Sequence, residues 1–107
     1  MSFADKKCLP CEGGVSKLTA QEVLQFLSQL TEWRSENDKL FKTYRFENFV
    51  KAMQFVNQMA EIAEQEGHHP DFTVHYNQVD VVLWTHAIDG LSDNDFILAS
   101  KIDRITI

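Results

Sequence analysis

The residues whose types and spacing could do chemistry are concentrated in the second half of the chain. "GHHPDF" (67–72) sets two adjacent histidines between a glycine and a proline, and Glu64, His75, His86, Asp89 and Asp95 lie close to it in sequence. Imidazole exchanges a proton near neutral pH. Several imidazoles converging on one pocket would therefore suit an elimination in which one proton is removed and another delivered. Taken singly, each residue has an ordinary explanation. Glu64 reads as a solvated helix residue, Asp95 as a helix-cap partner, and His75 and His86 as polar strand positions. Trp84 reads as a core or interface residue that could also line a pocket. A metal site is the weaker alternative. Glu64 and His68 are four apart and would share a helical face, but Gly67 breaks the helix before His68, and adjacent His68 and His69 point in different directions. No serine or cysteine stands in a nucleophile elbow or a helix-start setting. Cys8 and Cys11 form a single C-x-x-C with no second ligand pair for zinc, away from any strand-to-helix junction, and read as part of a reduced arm without an assigned role.

The elements that must position these groups are legible from caps and periodicity. Gly13-Gly14 set off an N-terminal arm (1–16) from a single domain (17–107). Thr19 with Glu22 forms a capping box, and Leu18 with Val23 a hydrophobic staple, at the start of a helix whose face is Val23, Phe26, Leu27 and Leu30. Trp33 and then 39–46 alternate as strands around a polar turn at Ser35 to Asp38. Asn48 caps a second helix with a stripe of Phe49, Met53, Val56, Ala60 and Ala63, widened by Met59 and Ile62, which ends at Gly67. Strands 71–76 and 79–86 form a hairpin with Asn77 in the turn. In the second strand Val79, Val81, Leu83 and Thr85 share one face, and Asp80, Val82, Trp84 and His86 the other. Ser92 and Asp95 cap a last helix carrying Leu98, Ile102 and Ile105, with Leu91 stapled to Phe96. The order α-β-β-α-β-β-α predicts an α+β two-layer sandwich, a four-stranded antiparallel sheet with helices on one face.

Composition narrows the function classes. A chain of 107 residues, 44% hydrophobic and 24% charged, makes one globular domain. Its net charge of −6 comes without a basic cluster, which argues against direct nucleic-acid binding. No apolar run approaches a membrane span and no secretory stretch opens the chain, so the expected compartment is the cytoplasm.

The spacing then becomes specific: Glu64, three residues, His68-His69-Pro70, five residues, Tyr76, nine residues, His86, eight residues, Asp95. With "LTAQE", Trp33, "FKTYRFENF", "HYNQVDVVLWTH" and "GLSDNDFILASKID", it closely resembles the pterin-4a-carbinolamine dehydratase family from about Lys17 to Ile105. The resemblance implies dehydration of a 4a-hydroxytetrahydropterin to quinonoid dihydropterin, in recycling the pterin cofactor of an aromatic amino acid hydroxylase. It implies no metal and no organic cofactor. His68 and His86 become the acid/base candidates and His69 the group that positions the substrate. Glu64 would hold an imidazole tautomer, and Asp95 would bind the pterin edge or orient His86. Such proteins are homodimers or homotetramers joined at sheet edges. Alternative readings are a dimerisation partner of a homeodomain transcription activator, or a pterin-binding relative in another pathway.

Overall fold

The computed structural model describes residues 3–9 and 16–107. Its elements are α1 (Ala20–Leu27), β1 (Arg34–Glu36), β2 (Lys39–Arg45), α2 (Phe49–Glu66), β3 (Asp71–His75), β4 (Gln78–Leu83) and α3 (Asp93–Asp103), with 3₁₀ turns at Phe3–Asp5 and His86–Ile88. All strand pairs are antiparallel, in the order β1-β2-β4-β3. This is the α+β fold and the element order that the sequence predicts.

Short-range signals set the helix boundaries. Thr19 Oγ1 accepts from Glu22 N while Glu22 Oε1 accepts from Thr19 N, which satisfies two otherwise unpaired N–H groups at the start of α1. Asn48 accepts from Lys51 N at the start of α2, and Ser92 with Asp95 completes a second capping box at α3. The α2 stripe is rotated from the expected one. Ala52, Phe55, Val56, Met59 and Ala63 are buried, whereas Phe49 and Ala60 are exposed. The reason lies in the sheet, where Tyr44 and Phe46 meet the Phe55 ring at centroid distances of 4.6 and 5.0 Å.

The strands also differ at their ends. The first hairpin turns on Asn37 and Asp38, both at positive φ (51° and 60°), so Ser35 and Glu36 pair in β1 instead of lying in the turn. The β3–β4 turn is Tyr76-Asn77, and the left-handed residue is Tyr76 (φ 51°). Asn77 is engaged elsewhere, its Nδ2 donating to Phe46 O at 3.0 Å and its carbonyl accepting from Phe46 N. Alternation along β4 holds, with Val79, Val81, Leu83 and Thr85 fully buried. The strand stops at Leu83, however. Thr85 N donates to Gly90 O at 2.8 Å, so the chain doubles back and His86 opens a 3₁₀ turn closed by Asp89 in the left-handed region (φ 48°). Ile105 lies beyond α3 but still packs on the core.

The N-terminal segment is part of the packing. Phe3 is buried against Phe26 and Phe96, and Cys8 is buried as a free thiol. Cys11 lies outside the described residues. Among the described residues, no helix is long and apolar enough to cross a membrane.

Candidate active site

Gly67 ends α2 in the left-handed conformation (φ 65°), a position that strains any residue with a Cβ. The N–H groups of Gly67 and His68 both donate to Ala63 O, so the chain leaves the helix sharply. His68 turns inward, only 5% exposed, and its Nε2 lies 2.7 Å from Asp95 Oδ1. Asp95 is fully buried in the first turn of α3. Its Oδ2 accepts from Thr85 Oγ1 at 2.8 Å and from Ser92 N at 3.0 Å, and Thr85 Oγ1 also bonds Ser92 Oγ at 2.7 Å. One carboxylate therefore ties together the end of α2, the chain leaving β4 and the start of α3. A buried network of this kind is tolerable only when its members are paired. Among the described residues, no buried side-chain nitrogen or oxygen lacks a partner.

The sequence expectation has Asp95 bind the pterin edge or orient His86. In the structure it is buried, the imidazole it contacts is His68 and not His86, and both its oxygens are engaged within the fold. Glu64 contacts an imidazole. Its Oε2 is 2.5 Å from His69 Nε2, with both side chains exposed. Because Gly67 breaks the helix, Glu64 partners His69 rather than His68.

His68, His69 and His86 line one open cavity of about 360 Å³ with Gly67, Pro70, Asp71, Trp84 and Ala87. That volume lies in the usual range for small-molecule sites, roughly 300–1,000 Å³. The His86 ring stacks on Trp84, with centroids 3.9 Å apart and planes 27° apart. Trp84 is held in turn by Asp71 Oδ2, which accepts from its indole N–H at 3.1 Å, and by Lys39 Nζ, 4.5 Å over its ring. Trp84 is thus neither core nor remote but a half-buried wall of the cavity.

His75 and Asp89 lie elsewhere. His75 Nε2 stands 3.4 Å from Asp80 near the β3–β4 turn, where the Thr43 hydroxyl, by donating to Asp80, holds that carboxyl below its ordinary range. Asp89 caps the 3₁₀ turn. The sequence does not point to Thr85 or Asp71 as supports of the site, and it shows Ser92 only as a helix cap. The signal for Thr85 was present, since a hydroxyl on the inward face of β4 must find a buried partner. Among the described residues, no three His, Cys, Asp or Glu side chains converge in a way that could hold a metal ion.

The fold and cavity define a two-layer α+β domain with a histidine-lined cavity at one end of its sheet. Residues 16–105 match the model of the pterin 4 alpha carbinolamine dehydratase family, and the chain belongs to that family. It is 50% identical over 106 residues to a protein of Rickettsia bellii (strain OSU 85-389), covering 97% of this chain and 94% of the relative. It is 44% identical over 107 residues to a protein of Halorhodospira halophila, covering 98% of each. Both relatives carry the name "Putative pterin-4-alpha-carbinolamine dehydratase". A crystal structure of a transcriptional coactivator/pterin dehydratase from Brucella melitensis superposes with a TM-score of 0.80 at 32% identity, over 82% of this chain and 96% of that one.

Proposed function

We propose that this protein dehydrates a 4a-hydroxytetrahydropterin to quinonoid dihydropterin and water by imidazole acid/base catalysis. The observation that carries the reading is the cavity in which His68, His69 and His86 meet, with His68 anchored on a buried carboxylate.

In the reaction the bond from carbon 4a to the hydroxyl oxygen breaks and its electron pair leaves with the oxygen, which takes a proton and departs as water. The adjacent ring nitrogen loses its proton, and those electrons form the new carbon–nitrogen double bond. One acid and one base suffice. Asp95, an acceptor, keeps the His68 proton on Nε2, so the neutral ring carries its basic lone pair on Nδ1. His68 takes the nitrogen-bound proton. His86, exposed at the cavity mouth and fixed flat against Trp84, delivers the proton to the leaving hydroxyl and recharges from solvent. His69, held by Glu64, positions the pterin. The product calls for a reductase, and the substrate for a pterin-dependent aromatic hydroxylase.

The protein works as a homodimer or homotetramer. β1 and β3 are open sheet edges, and the sheet face opposite the helices presents Phe41 and Val82 in a groove of about 430 Å³. The name of the Brucella structure supports a second reading, an interaction protein acting on a transcription activator. One assay separates the two. A hydroxylase generates the 4a-hydroxy pterin, and its absorbance decay is followed with and without this protein. Acceleration supports the enzyme, and an unchanged decay leaves the interaction reading in the lead.

A further inference from the structure

The N-terminal segment 3–9 takes no part in the chemistry above, yet hydrogen bonds tie it to the two elements that meet at the His68–Asp95 bond. Asn94, 1% exposed and adjacent to Asp95, grips the backbone of Leu9 at both ends. Its Oδ1 accepts from Leu9 N at 2.9 Å, and its Nδ2 donates to Leu9 O at 2.7 Å. The Cys8 thiol reaches Asn94 O at 3.6 Å. On the other side of Asp95, Phe96 packs on the Phe3 ring, with centroids 5.7 Å apart. The same segment holds the end of α2 just before His68. Cys8 N donates to Glu66 Oε1 at 2.8 Å, and Lys7 Nζ donates to Gln65 O at 2.8 Å. Glu66 also takes Lys101 Nζ of α3 on its second oxygen at 2.8 Å.

We propose that residues 3–9 are a strap that sets the spacing between the end of α2 and the start of α3, with Asn94 and Glu66 as positioning residues for the His68–Asp95 pair. The proposal rests on His68 acting as a proton-transfer group. Hydrogen bonds from the strap fall just before each partner of a single 2.7 Å contact whose two side chains come from different helix ends. No covalent link fixes that separation. A pair held at catalytic distance by noncovalent contacts alone drifts when its flanks are released, and a misplacement of about 1 Å costs about a hundredfold in rate.

The test uses two full-length variants and one measurement on the unaltered chain. Asn94→Ala removes the grip on Leu9 but keeps the backbone N–H that Ser92 caps. Phe3→Ala releases the other end of the strap without touching the site. Each should lower turnover by about tenfold, with KM changed less than about twofold, because alignment and not uniform binding is lost. Each should also expose the His68 Nε2 proton, followed as a downfield NMR signal, to solvent exchange, while Phe3→Leu restores both. In the unaltered protein, the Leu9 amide and the His68 Nε2 proton should exchange together, as members of one opening unit. The proposal is overturned if folded variants keep turnover and a protected Nε2 proton, or if they lose turnover with that proton still protected. It also fails if Leu9 exchanges freely in the unaltered chain while His68 stays protected. Should the unaltered protein show no dehydratase activity, the proposed function falls, but the NMR arms still decide the strap.

Discussion

Asp95→Asn changes one atom at the centre of the network, and its consequence follows from donor geometry. Asp95 Oδ2 accepts from Ser92 N at 3.0 Å, and a backbone N–H cannot reverse into an acceptor. The asparagine must therefore turn its carbonyl toward Ser92 and its NH₂ toward His68 Nε2, 2.7 Å from the carboxylate oxygen it replaces. Facing a donor, the neutral His68 ring must accept at Nε2 and carry its proton on Nδ1, so the basic lone pair moves from Nδ1, where the proposed mechanism needs it, to Nε2. Loss of one acid/base group is worth about 10² to 10⁴ in rate, and turnover should fall in that range until the uncatalysed dehydration sets a floor. The stability cost is one charge-assisted hydrogen bond, about 1.5–3 kcal/mol, which leaves a folded protein. The assays are nitrogen-15 NMR of the His68 ring, the thermal midpoint, and decay of the 4a-hydroxy pterin. A folded Asp95→Asn protein with native turnover, or with the proton still on Nε2, would refute the argument.

The remaining predictions concern other groups. His69→Ala should raise KM more than it lowers kcat in steady-state kinetics, because a positioning contact acts in ground and transition states alike. Burial raises the Glu66 carboxyl, but the Lys101 ammonium, the Cys8 N–H and Lys7 outweigh it and bring the group below its ordinary 4.5. A depressed folded value means stability that is present above 4.5 and lost as pH falls through the folded value, so thermal midpoints measured across acid pH should fall less steeply in Glu66→Gln than in the unaltered chain. Light scattering at micromolar concentration should give a dimer or tetramer, and a mass of 12.4 kDa would contradict the sheet-edge assembly.

What was legible in the sequence was short-range. The caps at Thr19, Asn48, Gly67 and Ser92 each need residues within three or four positions, and they set every helix start and the sharp exit that carries the two histidines. Of the residues in the spacing motif, His68, His69 and His86 line the cavity, Glu64 and Asp95 contact two of those rings, and Tyr76 stands apart in the β3–β4 turn. What could not be read was partner choice across elements. That Asp95 meets His68 depends on how the end of α2 approaches the start of α3, and no local pattern encodes that distance. His86 looked like a strand residue because β4 alternates cleanly until the Thr85–Gly90 bridge turns the chain. The packing of Phe3 and Cys8 had no periodic signal at all, since a seven-residue segment held by side-chain hydrogen bonds and the ring contacts of Phe3 has none to give.

The central claim is that His68 and His86 transfer the protons. Its most direct measurement is the single-turnover decay of enzymatically generated 4a-hydroxy pterin, followed by absorbance with the unaltered protein, with His68→Ala and with His86→Ala, each verified as folded. The account predicts acceleration by the unaltered protein and a loss of about 10² to 10⁴ in each variant, limited by the uncatalysed rate. Full turnover in both folded variants would contradict it.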